Sequence, residues 1–236
     1  MIMQMTGKIF LADDRGEETS AGVQAYLTFN NDRYQHPHKE AFGNLYALND
    51  YCLKGGCSQT IFANGGDYII LIPIAGAINY CDQSVNDTLI VAGQAQMIFV
   101  NNDTAIEIRN PFKADAVNFL KILVRANRCG MEKVVFLSTY DNVNRNINKL
   151  VPVFPAISND SSVPFSIHIG KFSGRGEAVY TMNKSKGFFG FVLEGAFEVE
   201  GRLLHARDGL ALWNTTNVDA EALSSDALLL VIETNI

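Results

Sequence analysis

Apolar and polar positions alternate with a period of two through most of this chain, and the alternation predicts strands. Lys8 to Ala12 and Val23 to Phe29 read as the first two. The polar stretch Asn31 to Lys39, which contains Pro37, reads as a loop. Short strands then recur about every ten residues, each closed by Gly, Asn or Asp. They are Asn44 to Leu48, Gln59 to Ala63, Tyr68 to Ile74, Ala77 to Tyr80, Ala95 to Val100, Ala105 to Arg109 and Asn118 to Val124. Met131 to Asp160 is less regular, holds Pro152 and Pro155, and runs into the polar Ser158-Asn159-Asp160-Ser161-Ser162, which makes it the linker candidate. Strands resume at Phe165 and continue to Glu233, where Ala227 to Ile232 reads as a fully buried closing strand. No segment predicts a helix long enough to carry a site. The class is all-β, and the rhythm is that of a sandwich or barrel.

Two stretches repeat one design: Leu71-Ile72-Pro73-Ile74-Ala75-Gly76-Ala77-Ile78-Asn79 and Phe191-Val192-Leu193-Glu194-Gly195-Ala196-Phe197-Glu198-Val199. Each reads as an apolar strand, a Gly-Ala turn and a returning strand. They lie about half the chain length apart, so the repeat is one per domain and not a short solenoid period. A duplicated β module follows, with domains expected at 1–132 and 133–236.

The 236 residues are 47% hydrophobic and 19% charged, with 15 Phe, enough to bury a sizeable core. No run of about 18 apolar residues is present. The opening Met1-Ile2-Met3-Gln4-Met5-Thr6-Gly7-Lys8 lacks the pattern of a secretory signal, so a cytoplasmic protein with no membrane partner is expected. Cys52, Cys57, Cys81 and Cys129 match neither a paired zinc motif nor a disulfide framework and read as reduced thiols. A formal net charge of −6 argues against a nucleic-acid partner, whose phosphates require a basic face.

Several stretches resemble one family. Thr28-Phe29 followed by Phe42-Gly43-Asn44-Leu45-Tyr46-Ala47-Leu48-Asn49-Asp50 resembles the opening of the pirin-family bicupins. Ala92-Gly93-Gln94-Ala95-Gln96-Met97 is similar to that family's Pro-Gly-Asp-x-Gln turn, and Asn110-Pro111 to its Asn-Pro. Phe191 to Gly201 and Arg207-Asp208-Gly209-Leu210-Ala211-Leu212-Trp213 are similar to the C-terminal cupin of bacterial pirin-like proteins of the quercetin-dioxygenase type. The resemblance implies two tandem cupin domains, each a double-stranded β-helix or jelly roll, joined as a bicupin.

It also implies a metal, usually iron, held by three His and one Glu in the N-terminal cupin. Counting forward from Asn49-Asp50 without a gap puts the first two ligand positions on Phe62 and Asn64, and a family Glu on Tyr68. Anchoring on Asn110-Pro111 puts the others on Ile106 and Ile108. Three of these four side chains have no lone pair to give, and one amide is a poor ligand alone. On this mapping Phe62, Asn64, Tyr68, Ile106 and Ile108 should cluster inside the first barrel as a packed or metal-free pocket, with no cofactor. Tyr68 and Asn64 could hydrogen-bond a small ligand there.

His36-Pro37-His38 reproduces the family's His-Pro-His string, but upstream of its usual place. In an extended backbone His36, His38 and Glu40 would share a face, so a relocated site for iron or another divalent transition metal is the alternative to a polar surface loop. His168 and His205 read as a strand and a hairpin residue. Ser58, Ser166 and Ser185 lack a nucleophile-elbow setting, no Cys has a neighbouring His, and no catalytic residue is assigned. Gly65-Gly66-Asp67 and Gly174-Arg175-Gly176 read as turns, since no helix follows to bind phosphate. Two functions compete: a pirin-like bicupin that binds a small molecule or a protein without catalysis, and a metal-dependent quercetinase-type dioxygenase with relocated ligands. No oligomeric state follows from the sequence.

Overall fold

The structure, a computed structural model, describes residues 6–31, 34–81, 87–126, 134–155 and 163–236. The chain forms two compact units, one of Gly16–Ala41 with Leu45–Thr139, the other of Met1–Arg15 with Phe42–Asn44 and Tyr140–Ile236. Each is a pair of antiparallel sheets enclosing an apolar core.

The first unit holds β2 (Gly16–Ser20), β3 (Val23–Leu27), β4 (Leu45–Leu53), β5 (Ser58–Ala63), β6 (Asp67–Ala75) and β7 (Ala77–Cys81). It continues with β8 (Asp87–Val91), β9 (Gln94–Val100), β10 (Thr104–Arg109), β11 (Val117–Arg125) and β12 (Val134–Thr139). Seven strands form one sheet in the order β12-β9-β6-β11-β4-β3-β2, and four form the other in the order β5-β10-β7-β8. Tyr51, Ile69, Leu71 and Phe119 of the large sheet meet Ile61, Ile78, Ile90, Ile106 and Ile108 of the small one in a single core. The second unit holds β1 (Gly7–Phe10), β13 (Val151–Pro152), β14 (Phe165–Phe172), β15 (Glu177–Thr181), β16 (Lys186–Glu194) and β17 (Phe197–Val199). Its remaining strands are β18 (Arg202–Leu204), β19 (Gly209–Leu212), β20 (Asn217–Ala222) and β21 (Ala227–Asn235). The sheets are β1-β19-β16-β21-β14-β13 and β15-β20-β17-β18, closed over Phe172, Phe188, Phe197, Val218 and Leu229. Apart from β2, the two units thus repeat one strand order. Among the described residues helix is confined to short 3-10 turns at Ala12–Asp14 and Asp141–Arg145, and none is long and apolar enough to cross a membrane.

The Gly-Ala turns of the repeat are not hairpins. β6 pairs with β9 and β11, whereas β7 pairs with β8 and β10 in the other sheet. β16 and β17 are divided in the same way. A register irregularity precedes each glycine, and Gly76 and Gly195 adopt φ +81° and +80°, where only glycine turns freely. A Cβ would lie 2.8 Å from Val117 Cγ1 at Gly76, and 2.3 Å from Ser224 Oγ at Gly195. Each glycine marks the corner where the chain leaves one sheet for the one facing it.

The contiguous division at 132/133 is corrected in three places. β1, at the start of the chain, pairs antiparallel with β19, from Gly7 opposite Leu212 to Phe10 opposite Gly209, and so completes the second unit's large sheet. Phe42–Asn44 also lies with that unit: the Phe42 ring packs 6.2 Å from Phe189 and 6.1 Å from Trp213, and the Asn44 N–H donates to the Asn235 carbonyl at 3.0 Å. Within the expected linker, Val134–Thr139 is instead the edge strand β12 beside β9, while residues 156–162 lie outside the described residues. β2 was hidden because Gly-Glu-Glu-Thr-Ser is a largely exposed edge with no apolar face to alternate. Cys52, Cys57 and Cys81 are free thiols, and Cys129 lies outside the described residues.

Candidate functional site

The β5–β10 ladder sets Ile106 opposite Ile61 and Ala105 opposite Phe62. Ile61, Ala63, Ile106 and Ile108 all point into the first barrel's core. Phe62 therefore points away from it, with a relative exposure of 73%. Ile69 and Leu71 of β6 face the core, so Tyr68 lies on the other face of its sheet, where its ring packs 5.1 Å from Phe99. The five expected pocket residues are thus not brought together: Ile106 and Ile108 are inside, Phe62 and Tyr68 are not, and Asn64 follows the end of β5. The ungapped count from Asn49-Asp50 lands one residue late, and a slip of one residue in a strand reverses every side chain. In β6 both faces are buried, so alternation gives no sign of which is inward.

With the register corrected, the inward positions are Ile61, Ala63, Ile106 and Ile108, and none offers a lone pair to a cation. This donor set does not fit a divalent transition metal. The upstream alternative is a turn, not an extended strand: the Lys39 N–H donates to the His36 carbonyl at 3.1 Å. Asn30 clamps it, accepting from the His36 N–H at 2.8 Å and donating to the His36 carbonyl at 2.9 Å. The His36 and His38 rings meet edge to face at 5.7 Å, and His36 Nδ1 accepts from the His38 N–H at 3.2 Å. Among the described residues no group of three His, Cys, Asp or Glu side chains is placed to hold a metal ion.

Above the apolar interior, the barrel opens into a cleft of about 600 Å³. Its floor and walls come from alternate residues of two neighbouring strands, Asn49 and Tyr51 of β4 and Lys121, Leu123 and Arg125 of β11. Gln59, Ile61, Phe62 and Asn64 approach from the small sheet, and Asn30, Asn31 and Gln35 from the loop. Tyr51 stacks on Phe119 with centroids 5.2 Å apart and planes 12° apart, and the Lys121 ammonium lies 5.5 Å above the Tyr51 ring. A β-bulge also shapes the rim. Leu123 pairs with Ala47 and Val124 with Leu45, so Tyr46 is the extra residue and its side chain packs against the barrel core. Its hydroxyl donates to Asp67 Oδ2, and the Arg125 guanidinium sits 4.7 Å from its ring centroid. Burial raises the Asp67 carboxyl above the ordinary carboxylate range, opposed by the Tyr46 hydroxyl and by Arg125. Burial, with the hydrogen bond to Asp67, also raises the Tyr46 phenol. The sequence reading missed Lys121; the signal for it was a charge inside the apolar run Asn118 to Val124.

Residues 164–234 match the family model of the quercetinase C-terminal cupin domain. A search of curated proteins finds no match to the sequence. Solved structures similar to the whole chain include YhhW from Escherichia coli, 18% identical with a TM-score of 0.87 over 97% of each chain. The bacterial pirin YhhW from Escherichia coli in complex with nickel(II) is 17% identical, with a TM-score of 0.86 over 98% of this chain and 99% of that one. The chain has the fold of a pirin-like bicupin. Quercetin 2,3-dioxygenase from Acinetobacter baumannii is more distant, at 12% identity and a TM-score of 0.73 over 97% of this chain and 79% of that one.

The bicupin's second barrel closes its mouth with a polar network. Tyr180 Oη donates to Glu233 Oε2 at 3.1 Å and lies 3.2 Å from Ser166 Oγ and 3.4 Å from His168 Nδ1. A hydroxyl that gives its one proton to Glu233 receives from Ser166 and from a neutral imidazole. Burial pushes the His168 pKa down to about 4, consistent with that neutral ring. Lys186 donates to Asn235 Oδ1 beside it. His205 precedes the turn, its N–H bound by Asp208 Oδ2 at 2.8 Å. When the ladders are aligned on Gly76 and Gly195, corresponding places pair Ile61 with Tyr180, Asn49 with His168, Leu123 with Glu233, and Lys121 with Val231.

Proposed function

We propose that this pirin-like bicupin is a non-catalytic binding protein that takes a small molecule into the mouth of its N-terminal barrel without a metal. The observation that carries this reading is the pairing of an apolar, filled interior with an open cleft above it. Ile61, Ala63, Ile106 and Ile108 occupy the inward positions, while Asn49, Tyr51, Gln59 and Lys121 line the cleft. A cation entering at those four inward positions would shed its hydration shell and find no donor atom among them to replace it, a loss of several kcal/mol or more. The cleft has the size and mixed lining of a small-molecule site.

Elemental analysis of the purified protein tests the reading together with oxygen uptake in the presence of quercetin. The expected result is no stoichiometric iron, nickel, copper or zinc, and no flavonol-dependent oxygen consumption after any of these is added. Stoichiometric metal that is lost in a His36→Ala/His38→Ala variant would overturn it in favour of a dioxygenase with relocated ligands.

A further inference from the structure

We infer that the ligand of the N-terminal cleft is a small organic anion whose acidic group pairs with Lys121, an assignment that rests on the reading of this cleft as a small-molecule site. Lys121 stands on the inner face of β11 between Phe119 and Leu123, in register with Asn49 on one side and Leu71 on the other. It is thus set into the apolar wall of a barrel, not on a solvated surface. Its ammonium lies over the Tyr51 ring, and among the described residues no carboxylate pairs with it. The other charges of the cleft are already engaged. Arg125 lies beside Asp67, and Glu18 accepts a hydrogen bond from the Asn31 side-chain amide at 3.1 Å.

The fold does not itself require a cation at this place. The corresponding residue of the second barrel is Val231, whose relative exposure is 0%. A lysine at such a position, in a chain of net charge −6, is an exception in need of a partner, and the cleft is open on its side. An ammonium partly withdrawn from water pairs strongly with a carboxylate or a phosphate. Around it, Ile61 and Leu123 offer apolar contact and Asn49 and Gln59 offer hydrogen bonds, so the body of the ligand is a flat or compact apolar group bearing one acid. A cleft of about 600 Å³ admits one or two fused rings.

The test uses the full-length protein, shown to be metal-free by elemental analysis, titrated with 1-naphthoate, 1-naphthyl phosphate and the neutral 1-naphthamide. At least one anion should bind at least about tenfold more tightly than the amide, the margin of one charge-assisted hydrogen bond. The two anion arms decide between a carboxylate and a phosphate. Lys121→Met keeps the apolar stem and should lose that margin, so that it binds the anions and the amide about equally. Lys121→Arg should keep the margin. Circular dichroism and the urea midpoint establish that each variant is folded, and if Lys121→Met is not, the comparison of the amide with the anions on wild type still decides. Equal binding of the anions and the amide, undiminished anion binding by folded Lys121→Met, or no anion binding by wild type would overturn the assignment. Those outcomes leave the metal-free reading intact, whereas stoichiometric metal in the purified protein would overturn that reading itself.

Discussion

At the mouth of the first barrel a lysine stands where the second has a valine, and at the mouth of the second a tyrosine stands where the first has an isoleucine. Apart from β2, which has no counterpart, the strand orders are the same, and at the mouths a few inward side chains differ. Tyr180 reaches across its barrel to Ser166, His168 and Glu233, and each polar group there finds a partner. In the first barrel Ile61 is too short to reach across, and Lys121 is left beside open space. A polar network that satisfies itself closes a barrel, whereas an unmatched charge beside a cleft leaves room for a ligand.

Three experiments would break or sharpen this contrast. The largest effect is expected at Phe119 and Leu229, corresponding places in the two cores and both fully buried. Phe119→Ala should lower stability by about 3–5 kcal/mol and Leu229→Ala by about 2–5 kcal/mol in urea unfolding. Only Phe119→Ala removes the support under Tyr51, so it alone should weaken binding of 1-naphthoate; equal weakening by Leu229→Ala would mean the cleft is not the site.

Exchange of the mouth residues comes next. Tyr180→Phe should cost about 1 kcal/mol because it leaves the half-buried partners of the hydroxyl, Ser166, His168 and Glu233, without it. The reciprocal Ile61→Tyr should abolish 1-naphthoate binding in a protein that still unfolds cooperatively. Retained binding would show that the cleft is wider than this geometry implies.

The smallest effect is the acid dependence of His168. Its folded-state value lies near 4 against an ordinary 6.5, so between these values the unfolded chain holds a proton that the folded chain does not. This contribution to stability is therefore complete above about pH 6.5 and is lost as the pH falls toward 4, by about 1 kcal/mol per pH unit. Urea midpoints measured at several pH values should show the slope in wild type and a flatter one in His168→Gln. An unchanged slope would place the titrating group elsewhere.

The period-two pattern made the all-β class legible, and the Gly76 and Gly195 repeat marked the duplication. What the pattern could not show was which sheet a strand joins. An apolar run such as Tyr68 to Ile72 is buried on both faces, and the same property concealed whether Leu120 or Lys121 pointed inward. The count from Asn49-Asp50 came within one residue of the inward positions of β5, but one residue is the difference between Phe62 at the rim and Ile61 in the core. Tyr180 gave no local signal either, since its partners come from β14 and β21, distant along the chain.

The seating of β1 beside β19 bears on how the molecule can be made. Residues 7–10 are made long before their partner strand at 209–212, so β1 waits unpaired while the strands between them are synthesised. A fragment cut at residue 133 would lack that strand permanently and would present the bare backbone of β19 to any neighbouring copy, an invitation to aggregate. Any attempt to produce the second barrel alone should therefore graft residues 6–15 back onto it.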